Sequence, residues 1–194
     1  FDPTSTRKTI VFPEPGYPVY KSGTILAGGV PLELPLDPNN QYVFRPQDIP
    51  SHEIKNIRAL WISYPHNPTG AQISSEEILN IYNWAQANNI VILSDECYVD
   101  MFFEGGTPPP SFLSCSANNH FKNVLCFFSL SKRSGMTGYR SGFIAGDSEI
   151  LSYFAKYRLN AGLGTPDFVQ SAAIAAWNDD THVLERNKIF AEKR

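Results

Sequence analysis

Two stretches, Ile90-Val91-Ile92-Leu93 and Val124-Leu125-Cys126-Phe127-Phe128, are apolar without a break. A strand wetted on one side alternates apolar with polar residues, so an unbroken run marks a strand covered on both faces, as in a parallel sheet. Two further runs suit the same sheet. Lys8-Thr9-Ile10-Val11-Phe12 is expected to stop at Pro13, and Arg58-Ala59-Leu60-Trp61-Ile62-Ser63 before Pro65, because proline has no N–H to give a ladder. Parallel neighbours need long crossovers, which predicts helices between them. One such helix opens at Ser74 as its cap, has Glu76 and Glu77 in its first turn, and places Ile78, Ile81, Tyr82 and Ala85 on one face. Ser148 starts another, with Ile150, Phe154 and Tyr157 on a stripe, and Thr165-Pro166-Asp167 a third, with Val169, Ala172, Ala173 and Ala176. The proline-rich pieces at residues 13–18, 31–50 and 107–110 are expected to be turns and surface loops. The fold class expected is α/β: a three-layer α/β/α domain over residues 1–194 with a mainly parallel central sheet.

The balance of 16 basic and 19 acidic residues gives a net charge of −3, and the basic residues are scattered. That argues against a nucleic-acid partner and for small-molecule chemistry. No apolar stretch approaches the roughly 20 residues that span a bilayer, and Phe1-Asp2-Pro3-Thr4 lacks the start of a signal peptide. Cys97, Cys115 and Cys126 are odd in number and without metal-ligand spacing, which suits a reducing cytoplasm. His52, His66, His120 and His182 are dispersed, so no metal site is expected, and His66 is expected to be a solvated turn residue.

Ligands of an open α/β sheet sit beyond the carboxyl ends of its strands. Three polar clusters come after the apolar runs there: Asn67-Pro68-Thr69-Gly70, Asp95-Glu96-Cys97-Tyr98 and Ser129-Leu130-Ser131-Lys132. Taken singly, the first is equally a plain turn, the second a cap and the third a surface lysine. Taken in order, with Arg140 eight residues past Lys132 inside Gly138-Tyr139-Arg140-Ser141-Gly142, they resemble the aspartate aminotransferase superfamily of pyridoxal-phosphate (PLP) enzymes, class I/II. The resemblance runs from Val11 to at least Gln170.

What the resemblance implies has a chemical reason at each position. A lysine amine can condense with the cofactor aldehyde and, once displaced by a substrate amine, carry a proton to and from Cα; Lys132 would be that catalytic residue. The ring withdraws electrons well only while its nitrogen is protonated, which asks for a facing carboxylate, by resemblance Asp95. Tyr98 and Asn67 match the residues that reach the ring's phenolic oxygen. Ser129, Ser131 and Arg140 match phosphate ligands, hydroxyl donors and a guanidinium fork suiting a dianion. Tyr17, in Pro15-Gly16-Tyr17-Pro18, lines up with the aromatic that stacks on the ring, and Thr165-Pro166 with a segment near the neighbouring subunit's site in the family's homodimer.

The resemblance also implies that the family's glycine-rich phosphate turn precedes Phe1 and that its small domain lies beyond Arg194. The chain is therefore expected to be a segment of a longer polypeptide, and alone to bind PLP poorly and turn over no amino acid. Its reaction is expected to be transamination between an amino acid and a 2-oxo acid. Residues 12–20 and 161–170 resemble succinyldiaminopimelate aminotransferases of lysine biosynthesis, which pair N-succinyl-LL-2,6-diaminopimelate with 2-oxoglutarate. An aspartate or aromatic aminotransferase, a PLP-dependent C–S lyase and a non-catalytic PLP-binding regulator share the same motifs.

Overall fold

The computed structural model describes residues 5–102, 106–162 and 164–193. The first four residues, considered for a leader, lie outside these, as does Leu163. In chain order the elements are β1 (Thr9–Glu14), α1 (Val19–Leu26), β2 (Val30–Pro35), β3 (Ile57–Ser63), α2 (Ser75–Ala87), β4 (Val91–Asp95), α3 (Phe112–Ser116), β5 (Val124–Ser129), α4 (Leu130–Arg133), β6 (Gly142–Gly146), α5 (Ser148–Arg158), α6 (Asp167–Trp177) and α7 (Thr181–Glu192). Short 3₁₀ turns punctuate the loops between them.

The strands form one sheet in the order β2-β1-β3-β4-β5-β6, all parallel except β6, which runs antiparallel to β5. The mainly parallel α/β reading therefore holds, with two strands added. Val30–Pro35, expected to be loop, is an edge strand. Prolines are tolerated at an edge because one row of N–H groups has no partner to serve. Pro13, expected to end β1, lies within it. The Lys8 and Glu14 carbonyls accept bonds from the β2 side, from Val30 and Leu36, so even-numbered groups of β1 face β2 and the Pro13 nitrogen faces β3, whose pairing has ended at Val11. The missing donor costs nothing there.

Side-chain alternation sorts the sheet into two faces. On one, Val11, Leu60, Ile62, Ile92, Val124 and Cys126 pack against Ile78, Ile81, Tyr82 and Ala85 of α2 and Phe112 of α3. All four expected α2 contacts are thus buried, and the Ser74–Glu77 capping box starts the helix. On the other face Ile10, Ala59 and Val91 form a smaller cluster with Trp61, Leu93 and Ile150 of α5. There the stripe expected on α5 is not buried: Phe154 and Tyr157 stay exposed. The helix begins at Ser148 as expected, capped by Asp147, which accepts from the N–H groups of Glu149 and Ile150. On α6, Val169 and Ala173 are buried, whereas Ala172 and Ala176 are only half-buried.

Gly142 lies opposite Ser129, and a Cβ there would stand 2.3 Å from the Phe128 carbonyl oxygen. Gly142→Ala is expected to push β6 off β5 and lower stability by about 2 kcal/mol, read as a lower urea midpoint at unchanged slope. An unmoved midpoint would mean that the ribbon yields without cost.

Candidate active site

The carboxyl ends of β1, β3, β4 and β5 are neighbours on the sheet, and each leads into one of the segments singled out from the sequence. Ser63 is directly opposite Asp95, and Asp95 opposite Phe127, two residues before Ser129. Asp95 shares its face of the sheet with Leu93 and Trp61, the face that α1 covers through Tyr20.

Asp95 is half-buried, and each of its oxygens accepts one bond: Oδ1 from the Cys97 backbone N–H at 3.2 Å, Oδ2 from the Tyr20 hydroxyl at 2.7 Å. The Tyr20 ring stacks on Trp61 at 4.9 Å between centroids and 16° between planes, and Trp61 packs against Phe127 at 5.0 Å. Burial, and then the charge of Asp95, push the Tyr20 phenol far above its ordinary range. Burial and the same charge push the Cys97 thiol up, against the opposing pull of Lys132. Cys97 thus lies within electrostatic reach of both Asp95 and Lys132.

Lys132 is on the single turn of α4, with its Nζ 5.4 Å from the centroid of the half-buried Tyr98 ring. Ser129 caps this turn, its hydroxyl oxygen accepting from the Ser131 N–H at 3.2 Å, which leaves its O–H free to donate. Thr137 ties α4 to the arginine beyond it: its hydroxyl donates to the Ser131 carbonyl at 3.4 Å, and its carbonyl accepts from Arg140 Nη1 at 2.9 Å. Arg140 is exposed, in a left-handed conformation at φ 52°. Asn67 is half-buried at the start of a turn closed by Gly70 N–H to His66 O at 2.7 Å. Tyr17 is exposed and meets Tyr20 edge-on at 5.9 Å.

One expectation is corrected. His66 is buried rather than solvated, its Nδ1 2.7 Å from the Thr69 hydroxyl, and burial lowers its pKa. An inward-facing imidazole at a strand end has the same sequence signature as a wet one. Thr165-Pro166-Asp167 starts α6 as expected, with Pro166 at the cap position and the Thr165 carbonyl accepting from Gln170 Nε2 at 2.7 Å.

Two contributors are not apparent from the sequence. Tyr20 lies three residues after Tyr17, one helical turn on, and that spacing is the signal that could have found it. Arg133 comes directly after Lys132 but turns inward: it is 5% exposed, its Nε is 3.6 Å from Asp100 Oδ2, it bonds Asp180, and it lies 5.1 Å over the Trp177 ring. Consecutive residues on a helix point about 100° apart, so one cation anchors α4 while the other is exposed beside the Tyr98 ring.

Comparison with known proteins agrees with this geometry. Residues 4–194 match the family model for aminotransferase class I and II. The LL-diaminopimelate aminotransferase 2 of Trichormus variabilis is 35% identical over 175 residues, covering 90% of this chain and 44% of that protein. The LL-diaminopimelate aminotransferase of Aquifex aeolicus is 33% identical over 186 residues, covering 95% and 47%. Among solved structures, the aminotransferase AspB of Helicobacter pylori superposes with a TM-score of 0.90 at 34% identity, covering 97% of this chain and 50% of that one. The chain thus spans about half the length of the relatives it matches. With the family model matching residues 4–194, nearly the whole chain, and the fold superposing on solved aminotransferases, the chain belongs to the aminotransferase class I and II family.

Proposed function

We propose that the protein to which these residues belong is a PLP-dependent aminotransferase of lysine biosynthesis, moving an amino group between a diaminopimelate-type amino acid and a 2-oxo acid. In this reading residues 1–194 are its cofactor-binding large domain, and the whole protein works in the cytoplasm as a homodimer. The observation that carries it is the placement of Asp95 at the carboxyl end of β4 and of Lys132 just past the neighbouring β5, with the Lys132 amine 5.4 Å from the centroid of the Tyr98 ring. Diaminopimelate is chosen because the relatives named LL-diaminopimelate aminotransferase share about a third of their residues with this chain.

The donor set fits PLP. An exposed amine, a carboxylate bonded only by neutral donors, unspent hydroxyl hydrogens and an exposed guanidinium match an aldehyde, a ring nitrogen and a phosphate. Bound PLP would supply an electron-withdrawing ring and a carbonyl carbon that accepts the amino group. Lys132 is the amine that would tether the cofactor and that would accept and return a proton at the substrate Cα. Asp95 would keep a proton on the ring nitrogen. Asn67 and Tyr98 would donate to the ring oxygen, Tyr17 would cover a ring face, and Ser129, Ser131 and Arg140 would hold the phosphate.

The test is a half-reaction on the full-length protein loaded with PLP. LL-2,6-diaminopimelate or its N-succinyl derivative is expected to convert the cofactor absorbance to that of its amino form, and 2-oxoglutarate to restore it. Release of pyruvate and ammonia from a cysteine-type substrate, without that conversion, would replace the reading with a lyase.

A further inference from the structure

We propose that Tyr20 is a positioning residue for Asp95, its phenol fixing the orientation of the carboxylate that meets the cofactor; the inference rests on the function proposed above. Asp95 is the last residue of its strand, so the orientation of its carboxylate, on two rotatable bonds, is set by the bonds its oxygens accept. The Cys97 N–H binds one oxygen from two residues away, a local turn contact that moves with the loop. The Tyr20 hydroxyl binds the other oxygen from 75 residues away in sequence.

The phenol is itself held from three elements. Its ring lies on Trp61 of β3, Trp61 lies against Phe127 of β5, and the Thr24 hydroxyl bonds the Tyr20 carbonyl at 2.7 Å within α1. Tyr20 is 3% exposed, so its hydroxyl has no solvent to turn to, and the short bond to a charged acceptor satisfies it. Burial keeps the phenol protonated, hence a donor, across any working pH. Packing on Trp61 needs only a ring, which phenylalanine would supply. The hydroxyl adds the bond to Asp95, with the Ser63 side chain as a further neighbour.

Tyr20→Phe in the full-length protein separates the two roles, since the stack stays and the donor goes. We expect the apo-protein to melt within about 5 °C of wild type and the PLP dissociation constant to rise about tenfold. The induced circular dichroism of bound PLP, which reports ring orientation, should shrink, and kcat should fall by more than KM rises. Trp61→Leu keeps the donor and loosens its support, so it should lose less in affinity and dichroism. Wild-type affinity and dichroism in Tyr20→Phe would overturn the role of Tyr20 and leave the proposed function standing. A larger loss in Trp61→Leu would assign the effect to ring packing and equally overturn it. Failure of the wild-type protein to form a borohydride-stable PLP adduct would overturn both.

Discussion

Lys132→Ala in the full-length protein is expected to remove every trace of borohydride-fixed cofactor and to slow transamination by about 10⁴-fold or more, beyond the roughly 10²–10⁴-fold that a general base alone contributes. Two functions disappear together, because the same amine tethers the cofactor and moves the proton. The fold should not notice. Lys132 is exposed, with the Tyr98 ring as its aromatic neighbour, while the inward anchor of its helical turn is Arg133. A stability change of no more than about 0.5 kcal/mol is therefore expected. Peptide mapping of the reduced adduct decides the matter, and a label retained on another lysine would refute the assignment.

Asp95→Asn is expected to leave some cofactor binding and to lower the rate on the order of 10³-fold, equivalent to about 4 kcal/mol of transition-state stabilisation. A neutral amide cannot hold a proton on the ring nitrogen, so the ring draws electrons poorly. A structural penalty is expected as well. The carboxylate accepts from both Tyr20 and Cys97, and an amide can present oxygen to only one of them, leaving N–H against a donor at the other. That mismatch should cost about 1–3 kcal/mol. Rates from pre-steady-state mixing and a urea melt separate the two losses. Undiminished turnover would remove the electronic role assigned to Asp95.

The share of this architecture legible in the residues alone depends on what each local signal encodes. Continuous apolar runs announced β4 and β5 because a strand covered twice has no polar positions to interrupt it. The capping residues announced α2, because Ser74 and Glu77 act locally. Edge strand β2 was hidden by Pro31 and Pro35, whose cost depends on having a neighbour to bond, which local sequence does not record. Helix α1 was hidden by Gly23 and by its shortness, and Tyr20 is one of its two buried residues, with Thr24. At the site, ordered motifs brought Asn67, Asp95, Tyr98 and Lys132 into view. The Tyr20–Asp95 bond and the Arg133 anchor are long-range contacts, made by the fold and invisible to any window of neighbouring residues.

Asp95 and Ser129 close two strands joined rung by rung, so the lateral gap between those strands is the repeat of the backbone ladder, about 4.8 Å. No loop substitution can widen or narrow that interval without tearing the sheet. A lineage built on this frame is free to change which molecule it accepts by altering whatever surrounds the mouth, while the chemical apparatus at the bottom keeps its gauge like rails on sleepers.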